Sequence, residues 1–173
     1  MGKHYLNPLF APKSVAVFGA SDRQDAVGQI VFQNMLQGGF KGKLYPINAK
    51  NAGVQGQHAY ASIAEIGEPV ELVVIATPPQ SVPGIIEECG LHGVKAAVII
   101  TAGFGEAGAK GVALEKELME AARRYNIRLI GPNCLGIMRP SIGLNATFNN
   151  GAANVGNIAF VSQSGALCTA ILD

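Results

Sequence analysis

The residues of this sequence that could do chemistry sit directly behind short apolar runs. Gly19-Ala20-Ser21 closes the run SVAVF, and Gly28 lies a short loop further on, where an amphipathic segment begins. Glycine at such a turn lets a ligand approach the backbone. A hydroxyl together with unpaired N–H groups at a helix start suits a phosphate. Gly28 would let the following helix pack closely against the preceding strand. The loop at 21–27 departs from G-x-G-x-x-G, being longer and lacking a second early glycine. An unliganded turn is the plain alternative, and the position of the loop favours nucleotide-type binding.

A second cluster narrows the nucleotide. Sites that hold free ribose hydroxyls usually place an acid roughly 20 residues past the glycine loop. Here the sequence reads Pro46-Ile47-Asn48-Ala49-Lys50, with Asn48 in place of an acid. A phosphorylated ribose gains Lys50 as a counter-charge, so coenzyme A or NADP fits better than NAD. A solvated lysine is the bland alternative for Lys50. Thr77-Pro78-Pro79 is rigid and poor in backbone donors, a flat wall for an adenine or a pantetheine arm. Thr101-Ala102-Gly103 offers small residues that a ligand can approach, and the nearby Glu106 reads as a helix-start carboxylate. Gly19→Val is expected to abolish ligand binding in a protein that still folds.

Other chemistries have little footing. Cys89, Cys134 and Cys168 are odd in number and far apart, forming neither a disulfide framework nor a C-x-x-C site. His4, His58 and His92 show no ligand spacing, so no metal is expected. Cys134 reads as a small buried thiol, with no base nearby in sequence. A net charge of +1, without a long basic run, argues against a nucleic-acid surface. No apolar stretch approaches the ~20 residues of a membrane span, and the N-terminus lacks the apolar core of a secretory signal. A cytoplasmic protein is the expectation.

The elements that must position these residues are legible from the pattern. Apolar runs at 14–19, 43–48, 71–76, 96–101 and 128–130 read as strands, the second weakened by Pro46. Between them, 27–37, 62–66, 81–91 and 112–125 read as helices. Strands alternating with helices imply a Rossmann-like α/β fold, a parallel sheet with helices on both faces, in the expected order 3-2-1-4-5. The 22 glycines of 173 residues exceed the usual ~7%, and much of the excess falls at strand ends. Residues 139–157, rich in Gly and Asn, contain no convincing element. A strand at 157–161 and a helix from 164 then look like the start of a second α/β domain. The expected organisation is a binding domain at 1–139, a linker at 140–156 and the first pieces of another domain at 157–173.

Taken in order, PLFAPKSVAVFGAS, YPINAK, TPP, TAGFGE, GPNCLGI and FVSQSGAL resemble the N-terminal part of NDP-forming acyl-CoA synthetases, relatives of the succinyl-CoA synthetase alpha subunit. The likeness runs over essentially the whole chain. The later stretches are also similar to large bacterial protein-lysine acetyltransferases that carry a synthetase-like region. The resemblance implies a domain that binds coenzyme A or an acyl-CoA. Gly19, Ala20 and Ser21 match the phosphate loop, Lys50 the ribose-phosphate contact, and Thr101, Ala102 and Gly103 the segment along which CoA lies. Asn133, in GPNC, matches a structural or ligand-adjacent position, and 162–165 match a loop suited to a phosphoryl group.

In that family a phosphohistidine and an ATP-grasp module, with ATP, ADP and Mg, belong to other domains. None of the three histidines here matches the phosphohistidine, so the resemblance implies no catalytic residue in this chain and no turnover by it alone. The implied partners are CoA, the remaining synthetase domains or an ATP-grasp subunit, and a homo-oligomer is compatible. Two other readings stand beside this one. One is a stand-alone CoA-binding regulatory module; the other is an NADP-dependent oxidoreductase, for which no His or Tyr at a strand end supplies a general acid.

Overall fold

A computed structural model of the chain describes residues 4–172. In chain order the elements are α1 (Asn7–Phe10), β1 (Ser14–Phe18), α2 (Val27–Gln37), β2 (Lys43–Ile47), β3 (Gly53–Val54), β4 (Gln57–His58), β5 (Leu72–Ile75), α3 (Val82–Leu91), β6 (Ala96–Ile99), α4 (Ala109–Tyr125), β7 (Arg128–Ile130), β8 (Gly136–Arg139), β9 (Leu144–Thr147) and α5 (Gly165–Leu172). The apolar runs became strands because both of their faces are covered. Every residue of β1, β5 and β6 is buried, as expected of the centre of a parallel sheet.

Alternate residues of these strands feed two cores. Ala16, Phe18, Val73, Ile75, Ala97 and Ile99 face α3 and α4, meeting Ile86, Cys89, Leu118 and Ala122. Val15, Val17, Leu72, Val74 and Val98 face the other way, onto Val31, Phe32 and Met35 of α2 and Leu9 of α1. The result is a Rossmann-like α/β fold with helices on both faces of a five-stranded parallel sheet.

The strand order corrects the expectation. The sheet runs β2-β1-β5-β6-β7, so in sheet-strand numbering it is 2-1-3-4-5 rather than 3-2-1-4-5. Pro46 explains why β2 is the edge. Ile47 turns its carbonyl toward β1, where it accepts from Gly19 N–H at 3.2 Å. Pro46 therefore turns outward, and its missing N–H would leave a gap in any ladder on that side. The outer side meets only a single bridge from Tyr60, whose N–H donates to Pro46 O at 3.0 Å.

Two further differences lie after residue 135. Where a linker was expected, β8 and β9 pair antiparallel, and Ile137, Leu144 and Ala146 join the same core as α2. The polar residues of this hairpin are satisfied internally. Thr147 Oγ1 donates to Asn145 Oδ1 at 2.7 Å, and Asn34 Nδ2 of α2 donates to Thr147 O at 2.9 Å. Conversely, 157–161 forms no strand. A strand needs a neighbour for its backbone groups, and among the described residues none lies alongside; Ile158 and Val161 are 95% and 93% exposed. The helix expected from 164 is α5, whose final expected residue, Asp173, lies outside the described residues.

Candidate functional site

Beyond the carboxyl ends of β1, β5, β6 and β7 lies a crevice of about 1080 Å³. The chain reverses direction across the sheet between β1 and β5, and ligands of open α/β sheets bind at such a switch point. Of the sequence candidates, Gly19, Ser21, Asn48, Thr77, Pro78, Thr101, Ala102 and Asn133 line this crevice, while Ala20, Lys50 and Gly103 do not.

The first wall is the loop from β1 to α2. Gly19 has φ +87°, and a Cβ there would lie 2.6 Å from the Ala76 carbonyl oxygen. This corrects the expectation that Gly19→Val leaves the fold intact, since the clash falls on the backbone after β5. Gly28 is as constrained, its missing Cβ facing Gly19 O at 1.9 Å. The first turn of α2 thus rests directly on the end of β1, and Ala26, Val27 and Gly28 line the crevice there. Ser21 Oγ accepts the Arg23 backbone N–H at 2.9 Å, which leaves the hydroxyl proton to donate. Ala20 is fully buried, and its role is through its carbonyl.

That carbonyl binds Asn48. Asn48 Nδ2 donates to Ala20 O at 2.8 Å, while Oδ1 accepts the N–H groups of Lys50 and Asn51 at 2.9 and 3.0 Å. The carboxamide is therefore consumed in tying the end of β2 to the end of β1, and its oxygen is closed off from a ribose hydroxyl. Lys50 is exposed on the rim.

The ends of β5 and β6 are tied in the same manner. Thr101 Oγ1 donates to Thr77 O at 2.8 Å, and Ser81 Oγ donates to Pro78 O at 2.7 Å. Gly103 points away from the crevice toward Pro79, and its N–H donates to Glu106 Oε1 at 2.6 Å. That bond, with the Glu106 backbone N–H, holds the Glu106 carboxyl below the usual carboxylate range. Glu106 thus shapes the Gly105–Ala107 turn ahead of α4.

At the end of β7, Asn133 N–H donates to Thr101 O at 3.0 Å. The neighbouring Cys134 Sγ contacts Ile99 O at 3.2 Å, and burial pushes its thiol up to about 11. Cys89 is buried and its thiol is pushed up further for the same reason. At pH 8, a water-soluble thiol reagent is expected to spare the buried Cys89 until the protein is denatured, and to label Cys168 ahead of Cys134, whose thiol is raised. Peptide mapping of the labelled chain checks this, and early labelling of Cys89 would contradict the burial argument.

The crevice also recruits residues that sequence reasoning passed over. Arg23, Ile100, Leu135 and Phe148 line it, as do Ala166 and Thr169 of α5, beside Gln163 and Gly165 of the 162–165 stretch that the sequence singles out. Among the described residues that line it, Arg23 is the one charged side chain and there is no carboxylate. The sequence shows a cation within the 21–27 loop but carries no motif that places it at the crevice. The serines of 162–165 are engaged in shaping the start of α5, Ser162 Oγ accepting Ser164 N–H at 3.0 Å and Ser164 Oγ accepting Leu167 N–H at 3.3 Å. No group of three or more His, Cys, Asp or Glu residues is placed to hold a metal among the described residues. Nor is any described helix long and apolar enough to cross a membrane.

Comparison with known proteins gives this geometry a family. Residues 13–140 match the CoA binding domain. The chain is 47% identical over 173 residues to an ADP-forming acetate–CoA ligase of Methanocaldococcus jannaschii, covering 99% of this chain and 24% of that protein. It is 48% identical over 169 residues to the alpha subunit of ADP-forming acetate–CoA ligase II of Pyrococcus furiosus, covering 96% of this chain and 36% of that subunit. The chain thus spans about a quarter to a third of the length of these relatives. Among solved structures, a dinucleotide-forming acetyl-coenzyme A synthetase 1 of Ca. Korarchaeum cryptofilum, in complex with phosphate and ADP, superimposes with a TM-score of 0.91. The identity is 42%, over 96% of this chain and 36% of that one. A five-stranded parallel sheet with a glycine-lined switch-point crevice, matched by family and by relatives along its length, makes this chain a member of the CoA binding domain family, homologous to the alpha subunits of ADP-forming acyl-CoA synthetases.

Proposed function

We propose that the crevice binds coenzyme A or an acyl-CoA, and that the chain acts as the CoA-binding part of an ADP-forming acyl-CoA ligase. The observation that carries this reading is the charge of the crevice, which among the described residues is lined by one arginine and no carboxylate, beside the start of α2 at Val27 and Gly28. Such a lining suits a polyanion and gives an unphosphorylated ribose no carboxylate to pair its hydroxyls. The diphosphate would lie against Gly19, Ser21 and the first turn of α2, with Arg23 as its counter-charge. Lys50, on the rim, would reach the ribose 3′-phosphate. The pantetheine arm would run past Thr77, Pro78, Thr101 and Ala102 toward the apolar side chains of Ile100, Leu135 and Phe148.

In this reading the chain holds and orients the thiol cofactor, while the phosphohistidine, ATP, ADP and Mg belong to other synthetase domains or an ATP-grasp subunit. Residues 157–172 would begin the next domain, and β8–β9 would belong to the binding unit. The names of the relatives support the ligase over the acetyltransferase. Three unpaired thiols suit a reducing compartment such as the cytoplasm.

Calorimetric titration with coenzyme A, dephospho-CoA and NADP tests the proposal. Coenzyme A is expected to bind, dephospho-CoA more weakly, and NADP not measurably. Binding of NADP without coenzyme A would overturn the proposal in favour of an oxidoreductase; equal affinity for coenzyme A and dephospho-CoA would remove the role given to Lys50.

A further inference from the structure

The loop at 21–27 is longer than a compact glycine-rich turn, and its shape is imposed partly from outside. Gln55, at the tip of the β3–β4 hairpin, reaches across to it. Gln55 Nε2 donates to Ser21 O at 3.1 Å and to Gln29 O at 2.9 Å, so one amide bridges the two ends of the loop. Both partners are carbonyl oxygens, which requires the nitrogen rather than the oxygen to face them. From the other side, Asp22 Oδ1 accepts the Gln55 backbone N–H at 2.7 Å. The loop and the hairpin are thus joined by three hydrogen bonds between residues far apart in sequence.

The backbone at Gln55 is unusual as well. Gln55 and Gly56 form the two-residue turn between β3 and β4, with φ of +48° and +75°. A turn with both central residues left-handed favours Asn-Gly or Gly-Gly, and a glutamine there carries a conformational cost. Asparagine would ease the turn but is one methylene too short to span both carbonyls. A strained residue whose side chain alone completes the bridge points to a role beyond closing the hairpin.

We infer that Gln55 is a positioning residue for the phosphate-binding loop, acting through Ser21 and the first turn of α2 to present their donors to the diphosphate of coenzyme A. The inference rests on the proposed function for its ligand. Its physical basis is preorganisation: a loop held in the bound shape before the ligand arrives loses less freedom on binding.

The test compares Gln55→Asn and Gln55→Gly with the wild-type chain in three measurements: Tm, amide hydrogen exchange across 21–29, and calorimetric affinity for coenzyme A. Both variants relax the turn, so Tm is expected to stay within about 3 °C of wild type. Exchange across 21–29 is expected to accelerate, and affinity to fall about tenfold. Wild-type affinity in both variants overturns the inference. So does a fall in affinity matched by a large fall in Tm, which would make Gln55 merely structural. Unchanged exchange across 21–29 overturns the clamp whatever the ligand. Failure of the wild-type chain to bind coenzyme A overturns the proposed function instead, and the exchange measurement still decides the clamp.

Discussion

Gly28→Ala is expected to cost about 3 kcal/mol of stability, although alanine is the better helix former. The added methyl would sit 1.9 Å from Gly19 O, 2.6 Å from Gly19 C and 3.3 Å from Ala20 N. None of these can yield, because all belong to the backbone leaving β1. The helix must lift off the sheet, and lifting it displaces Val27 and Gly28, which line the crevice. Gly84, in the first turn of α3, is the control, since a Cβ there meets nothing within 4 Å. Gly84→Ala should therefore hold or raise Tm, while Gly28→Ala should lower it by roughly 10 °C in a domain of this size. Thermal melts of the two variants decide the matter. Equal melting temperatures would show that α2 does not depend on this close approach.

Arg23→Ala is expected to weaken coenzyme A binding by roughly ten- to a hundredfold, the range for losing a charge-assisted hydrogen bond. The loss should be similar with dephospho-CoA, because both ligands carry the diphosphate. Lys50→Ala should behave differently, weakening coenzyme A alone and leaving dephospho-CoA unaffected. The difference follows from placement: Arg23 lines the crevice beside Ser21, while Lys50 lies outside it on the rim. Titration of both variants with both ligands separates the two cations. Full affinity in Arg23→Ala would place the diphosphate away from the loop.

The two cations also show where sequence reasoning stops. Lys50 drew attention because it follows the second strand, the position that reads the ribose in dinucleotide sites. Arg23 has no comparable place in a motif. Only the path of the 21–27 loop brings it to the crevice. Pro46 was visible as a weak point in its strand, but its effect on order depends on which side its missing N–H faces. The outward turn of Pro46 is read from Ile47 O, which accepts from Gly19. The β8–β9 hairpin escaped notice because Asn145 and Thr147 look like loop residues. Buried, they are satisfied by each other and by Asn34. The run at 157–161 misled in the opposite sense, since apolar composition favours a strand only when a neighbour accepts its hydrogen bonds.

The alternation of strands and helices is legible in the sequence, as is the glycine turn behind the first strand. Both are local properties: a run buried on two faces is apolar throughout, and a turn that must admit a helix and a ligand needs glycine. The tertiary structure decided which strands are neighbours, that Arg23 faces the crevice while Lys50 does not, and that Gln55 braces the loop from a distant hairpin. These depend on through-space contacts between residues far apart in the chain, and local pattern carries no record of the sheet order that brings them together.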